Sequence, residues 1–203
     1  MVEDDAGKHL TVAAGPEPPW RDVGLVLAAG QGRRFGMPKA AVVIEGERLI
    51  DRAVRVLHKG GCVRVAVVLG AWVGPVRDAE VVVNTDWRTG MGGSLRCGLA
   101  YLSGKRAGDN DDHRPHRAVV TLVDLPGITP GAVHQLCQRP ESLVAAQYQG
   151  KQGHPVLIGE QHWSALMQQL NGDSGARQYL REQAALLIPL DDLASGEDLD
   201  HPL

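Results

Sequence analysis

The feature that most constrains this chain is an apolar run that breaks directly into a glycine-rich loop. Residues 23–28 read Val-Gly-Leu-Val-Leu-Ala, and the chain then continues through Gly30, Gly32 and Gly36 to Lys39. A continuous apolar run of this length that ends in glycines is typical of a fully buried strand of a parallel sheet. The sequence therefore predicts a strand whose carboxyl end opens into a loop.

Two apolar periodicities alternate along the rest of the chain. An apolar stripe at i, i+3, i+4 and i+7 predicts a helix over 49–58. Further strands are predicted over 64–69, 81–83, 119–123, 143–146, 156–158 and 186–190, and further helices begin near Ser94 as an N-cap, at Pro130, at Gln161 and at Ala176. The alternation is typical of an α/β protein with three Rossmann-like layers, in which helices cover both faces of a mostly parallel sheet.

Length and composition limit the domain organisation. The 203 residues suffice for one domain, and because aromatic residues make up only 4% of them, the core must be mainly aliphatic. Residues 1–21 contain several prolines and no apolar periodicity, which predicts a flexible leader before a single domain over 22–203. Residues 103–117 are almost entirely polar and are interpreted as a solvated loop.

Charge and cysteine content argue against several classes of protein. A net charge of -3 gives no general attraction for nucleic acid or anionic lipid, so we expect neither as a partner. The three cysteines, Cys62, Cys97 and Cys137, are widely spaced and odd in number, which argues against a disulfide framework. No apolar stretch reaches the roughly 18 residues that cross a membrane, and the acidic N-terminus is unlike a secretory signal. We expect a cytoplasmic protein.

Three cations in the glycine-rich loop indicate a bound anion. The glycines let backbone N–H groups approach a phosphate, and Arg34 and Lys39 can neutralise charge on its oxygens. A dinucleotide-binding fingerprint does not fit, because the third glycine comes one residue late and Pro38 interrupts the helix. Asp51 has the spacing of the fingerprint's acidic residue, but it begins an amphipathic helix. A Walker A loop is excluded because no Gly-Lys-Ser/Thr follows.

A carboxylate follows another predicted strand. Asp124 comes directly after the apolar run 119–123 and precedes a Leu-Pro-Gly turn. We therefore expect its side chain at the carboxyl edge of the sheet, where α/β proteins bind their ligands. A carboxylate in this place can bind Mg²⁺ that bridges phosphate oxygens, so magnesium is the predicted cofactor.

Five motifs follow one another along the chain. They are L-A-A-G-Q-G-R-R-F-G-M-P-K at 27–39, N-T-D-W with G-M-G-G-S-L at 84–95, V-D-L-P-G-I-T at 123–129, G-H-P-V at 153–156 and G-D-S-G-A-R at 172–177. Together they resemble the MobA-like nucleotidyltransferases, the family of the molybdenum cofactor cytidylyl- and guanylyltransferases. The resemblance implies the nucleotidyltransferase form of the three-layer fold. It also implies transfer of a nucleotide from a triphosphate to a phosphorylated acceptor, with release of pyrophosphate.

The resemblance also implies roles for the matching residues. Arg34, Lys39 and Asp124 would be catalytic, with Asp124 as the metal ligand, and His154 would contact the acceptor. The implied nucleotide contacts are Leu27, Ala28, Ala29, Gly30, Gly32, Asn84 and Ser94. Relatives often carry a C-terminal D-x-D-T-P-E-D segment, of which only Asp198 and Asp200 match here. Asp200 is therefore a second candidate metal ligand.

Several hypotheses about the substrate stay open. The Ala28-Ala29-Gly30 form of the loop resembles the cytidylyl branch of the family, which favours CTP over GTP as the nucleotide donor. The resemblance implies a molybdopterin-type acceptor. A molybdoenzyme or a chaperone would be the partner that receives the product. An NAD(P)H-dependent oxidoreductase on the same fold is an alternative, although the late third glycine counts against it. A second alternative is a nucleotide-binding protein without catalytic activity. The presence of both Lys39 and Asp124 counts against it.

Overall fold

The computed structural model of the chain describes residues 21–104, 115–172 and 175–199. The strands in this part of the chain are β1 (Asp22–Ala28), β2 (Val43–Ile44), β3 (Glu47–Arg48), β4 (Arg64–Leu69), β5 (Glu80–Val83), β6 (Arg117–Leu122), β7 (Leu143–Tyr148), β8 (Lys151–Gly159) and β9 (Leu186–Pro189). The α-helices are α1 (Leu49–Lys59), α2 (Met91–Ser103), α3 (Pro130–Cys137), α4 (Glu160–Gln169) and α5 (Arg177–Glu182). The predicted leader, apart from Arg21, and most of the predicted loop at 103–117 lie outside the described residues.

Seven strands form one sheet in the order β5-β4-β1-β6-β8-β7-β9. β1 pairs in parallel with both β4 and β6, β4 with β5, and β7 with β9, whereas β8 is antiparallel to both of its neighbours. The mostly parallel sheet that the sequence predicts is therefore confirmed. β2 and β3 form a separate antiparallel hairpin.

Helices cover both faces of this sheet. Alternate side chains of β1 enter different layers: Val26 packs with residues of α1 and α3, whereas Leu25 packs with residues of α2, α4 and α5. This is the period-2 alternation of a strand that is buried on both faces. The predicted three-layer α/β architecture is confirmed.

The N-cap predicted at Ser94 is wrong. α2 begins at Met91, and its N-cap is Gly90, whose φ of 99° favours glycine. Ser94 is the fourth residue of the helix and its N–H donates to the Gly90 carbonyl at 3.4 Å. The amide of Gly92 donates to the carbonyl of Gly172 at 2.9 Å, so a tertiary contact stabilises a glycine-rich first turn that local propensity disfavours.

A buried ion pair closes the amino ends of β1 and β6, which lie in register. Arg117 contacts Asp22 through two nitrogens, with Nε–Oδ1 and Nη2–Oδ2 distances of 2.6 and 2.7 Å. Arg117 also donates to the carbonyls of Cys137 and Arg139, at 2.8 and 2.5 Å. The guanidinium thereby connects two strands to the end of α3.

The structure also bears on the expected cysteine chemistry and on membrane insertion. Cys62, Cys97 and Cys137 are all free thiols, which agrees with the argument from their number and spacing against a disulfide framework. None of the helices within the described ranges combines the length and the apolar character that crossing a bilayer requires.

Candidate active site

A cavity of about 380 Å³ opens at the carboxyl ends of β1 and β6. We call it the loop cavity. Its walls are the end of β1 and the glycine-rich loop (27–33), Lys39, the start of α2, and the residues 122–124 at the end of β6. The parallel pairing of β1 with β6 explains this arrangement, because the carboxyl ends of parallel strands meet at one edge of the sheet.

Lys39 and Asp124 meet at the wall of the loop cavity although 85 residues separate them in sequence. The Nζ atom of Lys39 lies 2.9 Å from Oδ2 of Asp124, and the two side chains are 12% and 24% exposed. Lys39 begins a short 3₁₀ turn after Pro38, and Asp124 follows a backbone hydrogen bond from Val123 to Leu27. A cation and a carboxylate beside the same space can bind phosphate oxygens and a divalent metal ion, respectively.

The glycine-rich loop folds back on itself before it reaches Lys39. Gly32 has a φ of +64°, and a Cβ at this position would lie 1.9 Å from the carbonyl oxygen of Met37, so no other residue fits without a change in the backbone. The amide of Gly36 donates to the carbonyl of Gly32 at 2.8 Å. The cavity wall includes the predicted nucleotide contacts Leu27, Ala28, Ala29, Gly30 and Gly32.

The cations of the loop cavity differ in part from those predicted. The wall contains Arg33, whereas Arg34 is exposed and is not part of the wall. Arg88 also lines the cavity, and its guanidinium carbon lies 4.4 Å from the ring centroid of Trp87. Sequence reasoning did not find Arg88. The available signal was its place between Trp87 and Gly90, within the second of the five motifs.

Ser94 and Asn84 form a buried polar pair behind the loop cavity. Ser94 lines the cavity, and its Oγ accepts a hydrogen bond from Nδ2 of Asn84 at 3.2 Å. Oδ1 of Asn84 accepts from the amide of Asp86 at 3.0 Å. The Asn84 side chain therefore orients Ser94, and because Ser94 accepts in this bond, its hydroxyl hydrogen can be donated.

A second cavity of about 620 Å³ adjoins the first. The two share Leu27, Met91 and Leu122, and we call the second one the α5 cavity because Arg177 and Arg181 of α5 line it. Its other polar lining residues are Gln152, His154, Gln178 and Asp198, and its apolar lining residues include Leu95, Leu125, Val120, Val156, Ile158 and Leu180. Arg177 closes the last of the five motifs, and the i, i+4 spacing of a helix places Arg181 on the same face.

His154 lines the α5 cavity as a neutral imidazole. Its Nδ1 lies 3.2 Å from the carbonyl oxygen of Val120, and because a carbonyl can only accept, Nδ1 carries the hydrogen. Burial lowers the pKa of His154, and the positive charge of Arg177 lowers it further. The hydrogen bond to Val120 and the negative charge of Asp124 act in the opposite direction. Nε2 therefore retains a lone pair that can accept a hydrogen bond.

The donor atoms near Asp124 suit a metal ion that keeps water and phosphate ligands. Within the described ranges, no three His, Cys, Asp or Glu side chains come together as a ready metal site. Mg²⁺ fits a single carboxylate at a phosphate site, because it usually binds one or two carboxylates plus substrate oxygens. Asp200 lies outside the described residues, although the amide of the preceding Leu199 donates to the Asp124 carbonyl at 2.9 Å.

A larger surface cavity, of about 760 Å³, lies beside α1. Four of the charged side chains that line it form two ion pairs, Arg48 with Asp51 at 2.6 Å and Arg55 with Glu47 at 2.7 Å. It lacks the glycine-rich loop and the residues of the strand ends. Size alone therefore does not identify it as the site of chemistry.

The fold is that of an α/β protein with two adjoining cavities, one of which is lined by a glycine-rich loop at the carboxyl edge of the sheet. Residues 24–186 match the model of the MobA-like NTP transferase domain. The chain belongs to this family, and it is a nucleotidyltransferase of the MobA-like type. The family that the five motifs predict is therefore confirmed.

Two curated relatives differ in the activity that their names state. The chain is 36% identical over 195 residues to "Nicotine blue oxidoreductase" of Paenarthrobacter nicotinovorans, a match that covers 87% of this chain and 91% of that protein. It is 30% identical over 134 residues to "Probable molybdenum cofactor guanylyltransferase" of Chloroflexus aggregans, which covers 62% and 58%. The name of the second relative agrees with the family, whereas the name of the first states a reaction of another class.

Solved structures show the same fold. The crystal structure of Rv0371c from Mycobacterium tuberculosis H37Rv superposes with a TM-score of 0.73 at 21% identity, covering 90% of this chain and 93% of that one. A complex of Rv0371c with manganese superposes with a TM-score of 0.66 at 21% identity, covering 84% and 87%. At this identity the comparison establishes the architecture.

Proposed function

We propose that this protein transfers CMP from CTP to a phosphorylated acceptor of the molybdopterin type and releases pyrophosphate. One observation carries the proposal: the ion pair between Lys39 and Asp124 borders the loop cavity, and the neighbouring Leu125 lines the α5 cavity. Two substrates can therefore meet beside one cation and one carboxylate.

The reaction requires two anionic groups to approach each other. The acceptor phosphate attacks the α-phosphorus of the triphosphate in line, and fixed positive charge lowers the repulsion between them. Lys39 and Arg33 would bind triphosphate oxygens from the cavity wall, and the exposed Arg34 would add positive charge beside them. Asp124 would hold Mg²⁺, with Asp200 as a second proposed ligand. When bound, Mg²⁺ withdraws negative charge from the phosphate oxygens. The manganese complex of a protein with the same fold supports the use of a divalent ion.

The loop cavity would hold the triphosphate and its base. The backbone of residues 28–30 and Gly32 can approach phosphate and base closely because its side chains are small. Ser94 would donate its hydroxyl hydrogen to the nucleotide, and Asn84 would fix the direction of that hydroxyl. The preference for CTP rests on the Ala28-Ala29-Gly30 form of the loop.

The α5 cavity would hold the acceptor. Its apolar lining residues offer a surface on which a flat ring system can pack, and its polar lining residues offer partners for the ring nitrogens and the phosphate. Nε2 of His154 would accept a hydrogen bond from an N–H or O–H of that ring system, and Arg177 and Arg181 would attract its negative charge. These properties agree with a phosphorylated, nitrogen-rich heterocycle such as molybdopterin.

The cellular setting follows from the proposed reaction. We propose that the domain over 22–203 acts in the cytoplasm and passes its product to a molybdoenzyme or to a chaperone. Neither nucleic acid nor a membrane has a role in the reaction.

A second candidate function is reduction of an aromatic substrate by NAD(P)H. The similarity to "Nicotine blue oxidoreductase" favours it, and a flat aromatic molecule would also suit the apolar lining of the α5 cavity. Asp51 argues against it, because it lies in the first turn of α1 and its carboxylate accepts from Nε and Nη2 of Arg48, at 2.6 and 2.9 Å. It therefore does not serve as the ribose-binding acid of a dinucleotide site.

CTP with Mg²⁺ is expected to raise the melting temperature of the protein more than GTP with Mg²⁺ or NADPH does. A ligand at about 100 times its Kd stabilises the folded state by roughly 2.7 kcal/mol, which for a chain of this size corresponds to roughly 5–10 °C. Thermal melts with each ligand at the same concentration measure the difference. A larger shift with NADPH would support the reductase instead, and equal shifts with CTP and GTP would contradict the choice of CTP.

A further inference from the structure

After β9 the chain crosses the turn that carries Asp124. The amide of Ser195 donates to the carbonyl of Gly127 at 3.1 Å, and the amide of Leu199 donates to the carbonyl of Asp124 at 2.9 Å. We call residues 191–199 the C-terminal strap. These two hydrogen bonds end on the first and last residues of the Asp-Leu-Pro-Gly turn. Oγ1 of Thr129 also donates to the carbonyl of Leu193, and the amide of Gln149 donates to Oδ1 of Asp191, both at 2.8 Å.

The ring of Tyr148 supports the middle of the strap. A Cβ at Gly196 would lie 2.4 Å from Cδ2 of this ring, and a Cβ at Gly153 would lie 2.9 Å from the same atom. The ring therefore packs against two glycine backbones, one on the strap and one on β8. Neither position accepts a side chain without a shift of the ring or of the backbone.

The hydroxyl of Tyr148 does not explain this packing. It is buried and has no hydrogen-bond partner among the residues that the structure describes. Burial, assisted by the charge of Asp191, raises the pKa of Tyr148 to about 12. The apolar ring is thus the part of the side chain that acts on the strap.

Both backbones that contact the ring lead into the α5 cavity. Gly153 precedes His154 on β8, and Gly196 and Asp198 of the strap line the same cavity. Tyr148 itself is not part of the cavity lining. The ring therefore lies between β8, which carries the imidazole of His154, and the strap, which carries the carboxylate of Asp198.

We propose that Tyr148 is a positioning residue for the acceptor: its ring holds the C-terminal strap so that the strap closes the α5 cavity. The proposal rests on the assignment of the α5 cavity to the acceptor and adds the element that shapes this cavity. Loss of the ring acts on acceptor binding, whereas the walls of the loop cavity do not include the strap.

Three variants of the full-length protein test this inference. Tyr148→Phe keeps the ring and removes the unpaired hydroxyl, so it is expected to behave like the wild type. Tyr148→Ala removes the ring, and Gly196→Val pushes the strap away from it. Both are expected to raise the KM for molybdopterin about tenfold, which corresponds to about 1.4 kcal/mol of binding free energy. Their melting-temperature shift with CTP and Mg²⁺ should stay at the wild-type value.

Amide hydrogen exchange provides a readout that does not depend on activity. In Tyr148→Ala and Gly196→Val, the amides of Ser195 and Leu199 should exchange about tenfold faster than in the wild type, because a local opening needs less free energy. Amides of β1 and α1 should exchange at the wild-type rate. Tyr148→Phe should leave both groups unchanged.

The outcomes separate this inference from the proposed function. If the wild-type protein shows no transfer but the strap amides respond as described, the reaction is wrong and the role of the ring in holding the strap is supported. Strap amides that exchange at the wild-type rate in Tyr148→Ala and Gly196→Val would overturn the inference. The inference would also be overturned if the strap amides exchanged faster in these variants but the KM for molybdopterin stayed unchanged. An equal increase of the exchange rate at amides throughout the protein would overturn it as well.

Discussion

Lys39→Ala and Asp124→Asn are each expected to lower turnover by about a hundredfold or more. The two side chains form one ion pair at the wall of the loop cavity, so each substitution removes a charge that the approaching phosphates and the metal need. Both side chains border solvent, at 12% and 24% exposure, so the fold should remain intact. Pyrophosphate release at saturating substrate measures the effect, and circular dichroism confirms folding.

Asp51→Asn is the matched control for Asp124→Asn. Asp51 also accepts from a cation, with 2.6 Å between Nε of Arg48 and Oδ2, and its side chain is 19% exposed. It lies in the first turn of α1, outside the loop cavity. We expect this variant to keep turnover within about twofold of the wild type. Wild-type rates in Lys39→Ala and Asp124→Asn, or a large loss in Asp51→Asn alone, would refute the proposed roles.

Asp22→Ala is expected to lower the free energy of unfolding by about 3–5 kcal/mol, because it leaves the guanidinium of Arg117 buried without its charge partner. The two side chains are 4% and 6% exposed, and the pair joins the first residues of β1 and β6. Denaturation by urea, with the unfolding followed by circular dichroism, measures the change.

Glu47→Ala provides the comparison for Asp22→Ala. Glu47 also contacts its partner, Arg55, through two oxygens, at 2.8 and 2.7 Å, but these side chains are 33% and 43% exposed. An exposed pair of this kind contributes about 0–1 kcal/mol, so the loss should be small. Equal losses in Asp22→Ala and Glu47→Ala would show that burial does not determine the contribution of the Arg117 pair.

The local sequence pattern was sufficient to predict the central strands and the ion-paired residues Lys39 and Asp124. β4 has the bounds that its apolar run predicts. β1 begins one residue earlier than predicted, and α1 ends one residue later than predicted, at Lys59. Lys39 was predicted in the loop that follows β1 and Asp124 directly after β6, and parallel pairing of these two strands brings the side chains to 2.9 Å from each other. These features follow from sequence periodicity and from the rule that the carboxyl ends of parallel strands meet at one edge of a sheet. They can therefore be predicted without knowledge of the contacts between residues distant in sequence.

Tertiary contacts determine the features that the sequence did not reveal. Local propensity cannot show that α2 begins within a run of glycines, because the contact between Gly92 and Gly172 stabilises that turn. The cavity position of Arg33 instead of Arg34 depends on how the loop curls around Gly32. The acceptor side of the site combines α5, β8 and the strap, which are distant in sequence.

One missed feature did have a local signal. β7 and β8 are joined by a two-residue turn, Gln149-Gly150, with φ values of 49° and 76°. A connection this short can join only antiparallel strands. The glycine in this turn could therefore have identified β8 as the antiparallel strand, and with it the position of His154 beside β6.

The release of pyrophosphate by the wild-type protein tests the central claim most directly. The protein is incubated with Mg²⁺, one of the four nucleoside triphosphates, and molybdopterin, and pyrophosphate is measured with and without the acceptor. The account predicts release that requires the acceptor and is fastest with CTP. No release with any of the four triphosphates in the presence of molybdopterin would contradict it.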